Sequence, residues 1–369
     1  MTKRVRVGVL GAGSWANAVH LPALAKRDDV ELVVVSRRDG DLACQIAERF
    51  GVEHATTDWQ EALRYGLDAV IVASPPSVHL QQVTAALESG AHVLAEKPFA
   101  ITSEDAWRMV DASRRTGRTL LIAFGWNHMP LIQGARRLMD ERRIGAIEFL
   151  TLEIRVAVRE LLMNGTGYRN PASDVLPPRP ETFVRPDVSG GGQAPVTMSH
   201  AFGVALFLSR LDAASVYAQL WNGPIGVDVH DAMIVTFENG AIGAINGASS
   251  HESKPNVEWE IAVFGTGGQL QLDSVTADVH FGSADGNIYR ADLPPNAGVY
   301  EPTGPLRTLI SVAQGGLAGD ESPAELGART VELVEASFRS ARSGRAESVP
   351  SPARPACEGA MPAGPGRGR

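Results

Sequence analysis

The chain has 369 residues, 44% of them apolar and 21% charged, with a net charge of -8 and two cysteines. That length exceeds what one hydrophobic core usually serves, so two domains are expected, and the negative balance argues against a nucleic-acid or anionic-membrane partner. Cys44 and Cys357 lie far apart in unlike contexts, which excludes a disulfide framework or a cysteine-based zinc site and points to two reduced thiols.

From Met1 the chain runs straight into a strand, with no apolar stretch of signal-peptide length and no later segment long enough to span a bilayer; a cytoplasmic location is expected. Between Val5 and about Phe124, apolar β-branched runs (Val7 to Leu10, Leu32 to Val35, Ala69 to Ala73, His92 to Ala95, Thr119 to Ala123) alternate with helical segments (Leu42 to Phe50, Leu80 to Ser89, Ser103 to Thr116). Near-continuous apolar strands separated by helices indicate a parallel sheet buried on both faces, so residues 1–124 are expected to form an α/β, doubly wound domain of Rossmann type.

After Trp126 the rhythm changes. A helix from Leu131 to Arg142 precedes strands at Ile147 to Val158, Ser215 to Trp221, Ala232 to Phe237, Ala241 to Ser249, Val257 to Phe264 and Gln269 to Asp273, with the hairpin signal Asn239-Gly240 among them. Helices from about Thr197 to Leu211 and from Ala324 to Arg342 accompany this sheet. The spacing predicts a second, α+β domain over 125–342 with a large, mostly antiparallel open sheet. Residues 159–190, rich in Pro, Gly and Asn, read as a functional excursion over a pocket. The Pro- and Gly-rich tail, 343–369, is expected to be disordered.

Gly11-Ala12-Gly13-Ser14-Trp15-Ala16 closes the first strand and opens a helix. Gly11 permits the tight turn, Gly13 admits a pyrophosphate, Ala16 allows close helix packing, and the amides from Ser14 and Trp15 onward face the phosphates. About twenty residues on, where an acidic residue normally receives the ribose hydroxyls of NAD, stand Ser36-Arg37-Arg38. A hydroxyl and guanidinium forks suit a 2′-phosphate, so NADP(H) is expected over NAD(H); solvated surface arginines with Asp39 close by are the plainer alternative. Ser74-Pro75-Pro76 ends a strand where a turn would lie against the nicotinamide half. His79 either approaches that site or caps the helix that begins there. The strand Ala91 to Ala95 delivers Glu96-Lys97-Pro98 about eighty positions after the glycine turn, which places Lys97 at the ligand edge of the sheet.

With Ala73-Ser74-Pro75-Pro76-Ser77-Val78-His79, the passage from Ala86 to Pro98, and Gly190-Gly191-Gly192 followed by His200, the chain resembles the Gfo/Idh/MocA family of sugar and cyclitol oxidoreductases, from Val5 to about Arg342. The resemblance implies a Rossmann domain followed by an α/β domain whose open sheet carries substrate contacts and often the oligomer interface. The family usually has an aspartate four residues before the histidine of the second domain; here Val196 stands there. A subgroup with a Gly-Gly-Gly-Gln opening and Ser-His is closer to this chain.

Hydride transfer leaves the protein one proton to move and one oxygen to polarise. A lone helical histidine is more often a packed or capping residue, but within the resemblance His200 is the expected acid/base, with Lys97 polarising the oxygen and sharing the proton. Asn127, His128, Arg155, Tyr168, Arg185 and Asp187 are the candidate substrate contacts, each equally readable as ordinary loop or sheet polarity. His128, His200, His230 and His251 lack metal-ligand spacing, so no metal is expected. The expected activity is NADP-dependent interconversion of a secondary alcohol and a ketone on a sugar, cyclitol or polyol. An NAD-retaining glycosidase acting by transient oxidation, and a non-catalytic NADP-binding regulator, are the alternatives. The open sheet predicts a homo-oligomer, dimer or tetramer.

Overall fold

The computed structural model describes residues 3–165, 176–250 and 257–350. Six strands, β1 (Val5–Leu10), β2 (Val30–Ser36), β3 (His54–Thr56), β4 (Ala69–Val72), β5 (His92–Ala95) and β6 (Leu120–Ile122), form one sheet in the order β3-β2-β1-β4-β5-β6. Every pairing is parallel. Val7, Val9, Ile71 and Leu94 are fully buried, as expected where helices cover both faces. The strand order reverses between β1 and β4, so a crevice opens outside their carboxyl ends, the position where doubly wound sheets hold ligands. β3 was not apparent in the sequence because His-Ala-Thr offers no apolar run.

Nine further strands make the second sheet: β7 (Ile147–Val156), β8 (Ala213–Trp221), β9 (His230–Phe237), β10 (Ile242–Ser249), β11 (Glu258–Gly265), β12 (Gly268–Asp273), β13 (Asp278–Ser283), β14 (Ile288–Arg290) and β15 (Glu347–Ser348). Their order is β14-β13-β12-β11-β7-β10-β9-β8-β15. The central pair, β7 with β10, is parallel, and the other described pairings are antiparallel. Helices Pro130–Glu141, Ser199–Ser209 and Ala324–Ser343 pack on one face. The other face is open: strand alternation puts Phe149 beside Ile242 and Tyr217 opposite Ile234 there, all four exposed.

Two expected boundaries move. The chain returns to the first sheet after the second is built: Leu306, Leu309 and Ile310 of helix Gly304–Ala313 join the core formed by Val5, Val7 and Val9. The 20-residue helix Ala324–Ser343 is shared, with Ala324, Ala328 and Val331 in the first domain's core and Leu333 and Ala336 in the second's. A single cut at 124 therefore does not separate two independent cores. The tail also begins later than 343, because Glu347 and Ser348 pair with β8 and Val349 is buried. Residues 351–369, Cys357 included, lie outside the described residues.

Candidate active site

The glycine turn is built by close contact. Gly11 has φ +81°, and a Cβ there would overlap the Ser74 backbone at the end of β4. The amides of Gly11 and Ala12 both donate to the Ser36 carbonyl at 3.0 Å, which ties the turn to the end of β2. Gly13 differs, since its nearest neighbour to an added Cβ is the Gly11 carbonyl at 3.7 Å. Its missing side chain leaves space on the cleft side, as a backbone approached by a pyrophosphate requires. The residues present therefore fit a dinucleotide. Ala16 is buried and packs the helix rather than facing the cleft.

A cleft of about 1240 Å³ runs from this turn into the second domain. Gly11, Gly13, Ser14, Trp15, Ser36, Arg37 and Arg38 line one end; Ser74, Pro75, Glu96, Lys97 and His200 line it further along. His79 does not line it. Its ring is fully buried between the Ser74 carbonyl (Nε2, 2.8 Å) and the Phe99 carbonyl (Nδ1, 3.0 Å), so it is corrected from a cofactor contact to a brace that holds the Ser74–Pro75 turn. Gln82 braces the same turn through Ser74 Oγ at 2.5 Å.

Lys97 and His200 come from different domains; His200 is buried and Lys97 is half-buried. Lys97 Nζ donates to the Val196 carbonyl at 3.2 Å. Where the family pattern has a carboxylate, this chain therefore offers Lys97 a main-chain oxygen. Burial pushes the Lys97 ammonium below its ordinary value, and the Glu96 charge opposes this only in part. Burial, and then the Lys97 charge, push His200 well below its ordinary value, so its ring is neutral at pH 7. Glu96 carries a hydrogen bond to His20 Nε2 at 2.7 Å and accepts from the Lys97 amide at 3.1 Å. Burial alone would raise the Glu96 carboxyl, but the His20 bond and the His20 and Lys97 charges hold it below its usual range. His20 carried no sequence signal, because 76 residues separate it from Glu96.

The segment that leads to His200 is seated on a second carboxyl. Asp228 accepts from the Ala194 amide through Oδ2, and its carbonyl accepts from the Gln193 amide at 2.9 Å. A Cβ at Gly192, φ +82°, would collide with the Asp228 carboxylate. Burial raises Asp228 to about 6, against the pull of the Ala194 bond. Burial and then the Asp228 charge raise Asp231 well above its ordinary value, and both Asp231 oxygens are buried without a donor among the described residues. A buried carboxyl in that state holds its proton.

The expected substrate contacts separate into five groups. Arg185 lines the cleft. Asp187 does not: both its oxygens are engaged by the Arg185 guanidinium, with Nε to Oδ1 at 3.1 Å. Arg155 is withdrawn, because Ile154 and Val156 of β7 face the cleft while Arg155 alternates to the open face, held by Glu153 (2.7 Å), Glu260 (2.9 Å) and Glu258 (3.5 Å). Asn127 and His128 are withdrawn as well. The turn Gly125–His128 sends Trp126 into the cleft and the other two into the domain seam, where Asn127 Nδ2 donates to the Glu321 carbonyl (2.7 Å) and His128 Nε2 meets Ser322 Oγ (2.7 Å). Burial and the Arg307 charge take His128 down to about 4. Tyr168 lies outside the described residues. Trp126 itself went unnoticed, although its place just past the carboxyl end of β6 was a usable signal; Tyr300, stacked on it at 4.3 Å between ring centroids and also lining the cleft, carried none.

Residues 5–124 match the family model described as "Oxidoreductase family, NAD-binding Rossmann fold", and residues 132–271 match the "GFO/IDH/MocA C-terminal domain". The chain belongs to the Gfo/Idh/MocA oxidoreductase family. It is 30% identical over 280 residues to a dTDP-3,4-didehydro-2,6-dideoxy-alpha-D-glucose 3-reductase from Saccharopolyspora spinosa, covering 74% of this chain and 76% of that one. It is 24% identical over 306 residues to a levoglucosan dehydrogenase from Pseudarthrobacter phenanthrenivorans, covering 73% of each. The fold superposes on a levoglucosan dehydrogenase solved with NADH and levoglucosan, with TM-score 0.77, 20% identity, and 95% and 100% of the two chains covered. The protein is thus a dehydrogenase or reductase with an NAD-binding Rossmann domain. Among the described residues no helix is long and apolar enough to cross a membrane.

Proposed function

We propose that the protein interconverts a secondary alcohol and a ketone on a sugar, cyclitol or related polyol, with NADP(H) as cofactor, His200 as acid/base and Lys97 as its partner. The observation that carries this is the convergence of Lys97 and His200, from two domains, in the cleft that the glycine turn opens. The bound nicotinamide supplies the hydride acceptor or donor. His200, neutral at pH 7, is ready to take the hydroxyl proton during oxidation; its Nδ1 is buried without a partner among the described residues, which leaves Nε2 for the substrate. Lys97 spends one N–H on Val196 and keeps two to polarise the substrate oxygen. The stacked Trp126 and Tyr300 offer a flat apolar wall for the C–H face of a sugar ring. The relatives named for a dTDP-keto-sugar and for levoglucosan support that substrate class.

The cofactor preference rests on Ser36, Arg37 and Arg38 at the end of β2. An absorbance screen of sugars, cyclitols and their keto forms, run with each cofactor, tests both halves. We expect turnover with NADP(H). The reading fails if no polyol or ketose is turned over, or if Lys97→Ala and His200→Ala both leave turnover of the best substrate unchanged; a clear preference for NAD(H) removes the cofactor half.

A further inference from the structure

The far end of the cleft is closed by a strap from the second domain. Leu176 packs against the Rossmann core, helix Pro186–Ser189 touches the turn Pro76–Val78, and between them Arg179 lines the cleft together with Arg37 and Arg38. Thr182 Oγ1 donates to the Arg179 carbonyl at 2.7 Å, which fixes the backbone there. The three guanidiniums find little to neutralise them. Arg37 Nη1 donates to the Ala12 carbonyl at 2.8 Å, but its Nε is buried with no partner among the described residues. Arg38 and Arg179 make no side-chain hydrogen bond or ion pair among the described residues. Asp39, the nearby acid, is spent on capping helix Gly40–Phe50 through the Leu42 amide at 3.1 Å. Burial and then the Arg179 charge depress Arg37, and the Asp39 charge opposes this only in part, so the two cations repel each other at this end of the cleft.

Resting on the NADP(H) reading above, we propose that Arg179 is a third guanidinium for the cofactor's 2′-phosphate, so that the phosphorylated dinucleotide ties the strap to the Rossmann domain and the unphosphorylated one does not. A doubly charged phosphate has enough acceptor oxygens for all three forks, and an orphaned guanidinium edge is the group it would satisfy. Arg179 then acts as a specificity-determining residue supplied by the other domain.

The test measures NADPH, NADH, 2′,5′-ADP and 5′-AMP binding to the full chain, as wild type, Arg179→Ala and Arg179→Lys. Arg179 is exposed, so neither variant threatens the fold, and its melting temperature checks this. We expect Arg179→Ala to weaken NADPH and 2′,5′-ADP about 10- to 100-fold, the worth of one charge-assisted bond, with NADH and 5′-AMP within twofold of wild type. Arg179→Lys should recover part of the loss. In the wild type, hydrogen exchange over 176–189 should slow with 2′,5′-ADP and not with 5′-AMP. If wild type prefers NADPH but Arg179→Ala changes neither phosphorylated ligand, or weakens all four alike, the role of Arg179 is overturned while the cofactor reading stands. If wild type binds NADH as tightly as NADPH, both fall.

Discussion

Replacing Asp228 with Asn should make the protein less sensitive to pH without disturbing the seat of His200. The amide oxygen still accepts from Ala194, while the ionisable group disappears. The Asp228 carboxyl is raised from 3.8 to about 6. At about 1.4 kcal/mol per pH unit, that is about 3 kcal/mol of stability present below pH 4 and lost by pH 6. The sign follows from the direction: a carboxyl raised on folding keeps its proton longer in the folded chain, so wild-type stability falls as pH climbs through this window and the penalty is complete above it. Losing the charge-assisted bond to Ala194 offsets about 1 kcal/mol. Asp228→Asn should therefore be more stable than wild type by about 1–2 kcal/mol at pH 8 and lose that advantage toward pH 4, with Asp231 still titrating in both. Urea unfolding at pH 4, 5, 6, 7 and 8 measures it, and kcat should stay within a few-fold. Parallel stability profiles for the two proteins, or a variant less stable at pH 8, would refute an Asp228 carboxyl raised by burial to about 6.

Lys97→Ala and His200→Ala should each lower kcat/KM by about 100- to 10,000-fold, the usual worth of a positioned acid/base, while cofactor binding stays within a few-fold; loss of binding instead would make them cofactor anchors. Because the Lys97 charge helps depress His200, Lys97→Met should move the His200 ring titration upward toward 6.5, followed by NMR, and an unchanged titration would mean the two groups do not interact. Gly13→Val should fold normally, since only the Gly11 carbonyl stands within 4 Å of its Cβ, yet lose dinucleotide binding by about 100-fold or more in a fluorescence titration; retained binding would place the pyrophosphate elsewhere. Ile234→Glu, aimed at the exposed row with Tyr217, should shift the sedimentation mass toward the monomer if copies pair through the open sheet, and an unchanged mass would locate the contact elsewhere.

What the amino-acid order determined by itself was whatever depends on near neighbours. The glycine turn after β1, the apolar strands of the parallel sheet, the alternation of β7 to β12 and the Glu96-Lys97-Pro98 edge all follow from local sterics, periodicity of burial and turn chemistry. They were enough to assign the architecture and the family. Short or polar elements such as β3 and β14 escaped, because three residues carry no periodicity. The tertiary structure decided which way side chains face and what they meet. Arg155 and Ile154 are adjacent in sequence, yet the pleat sends one to three carboxylates on the open face and the other to the cleft. Asn127 and His128 share a turn with Trp126 but enter the seam where the returning chain, near Glu321 and Ser322, was already waiting for them. His20 with Glu96, Asp228 with Ala194, and Arg179 beside Arg37 are pairings across dozens of residues. No local preference encodes them, because each exists only once distant segments have packed and excluded the water between them: within the Rossmann domain for His20 and Glu96, within the second domain for Asp228 and Ala194, and across the domain seam for Arg179 and Arg37.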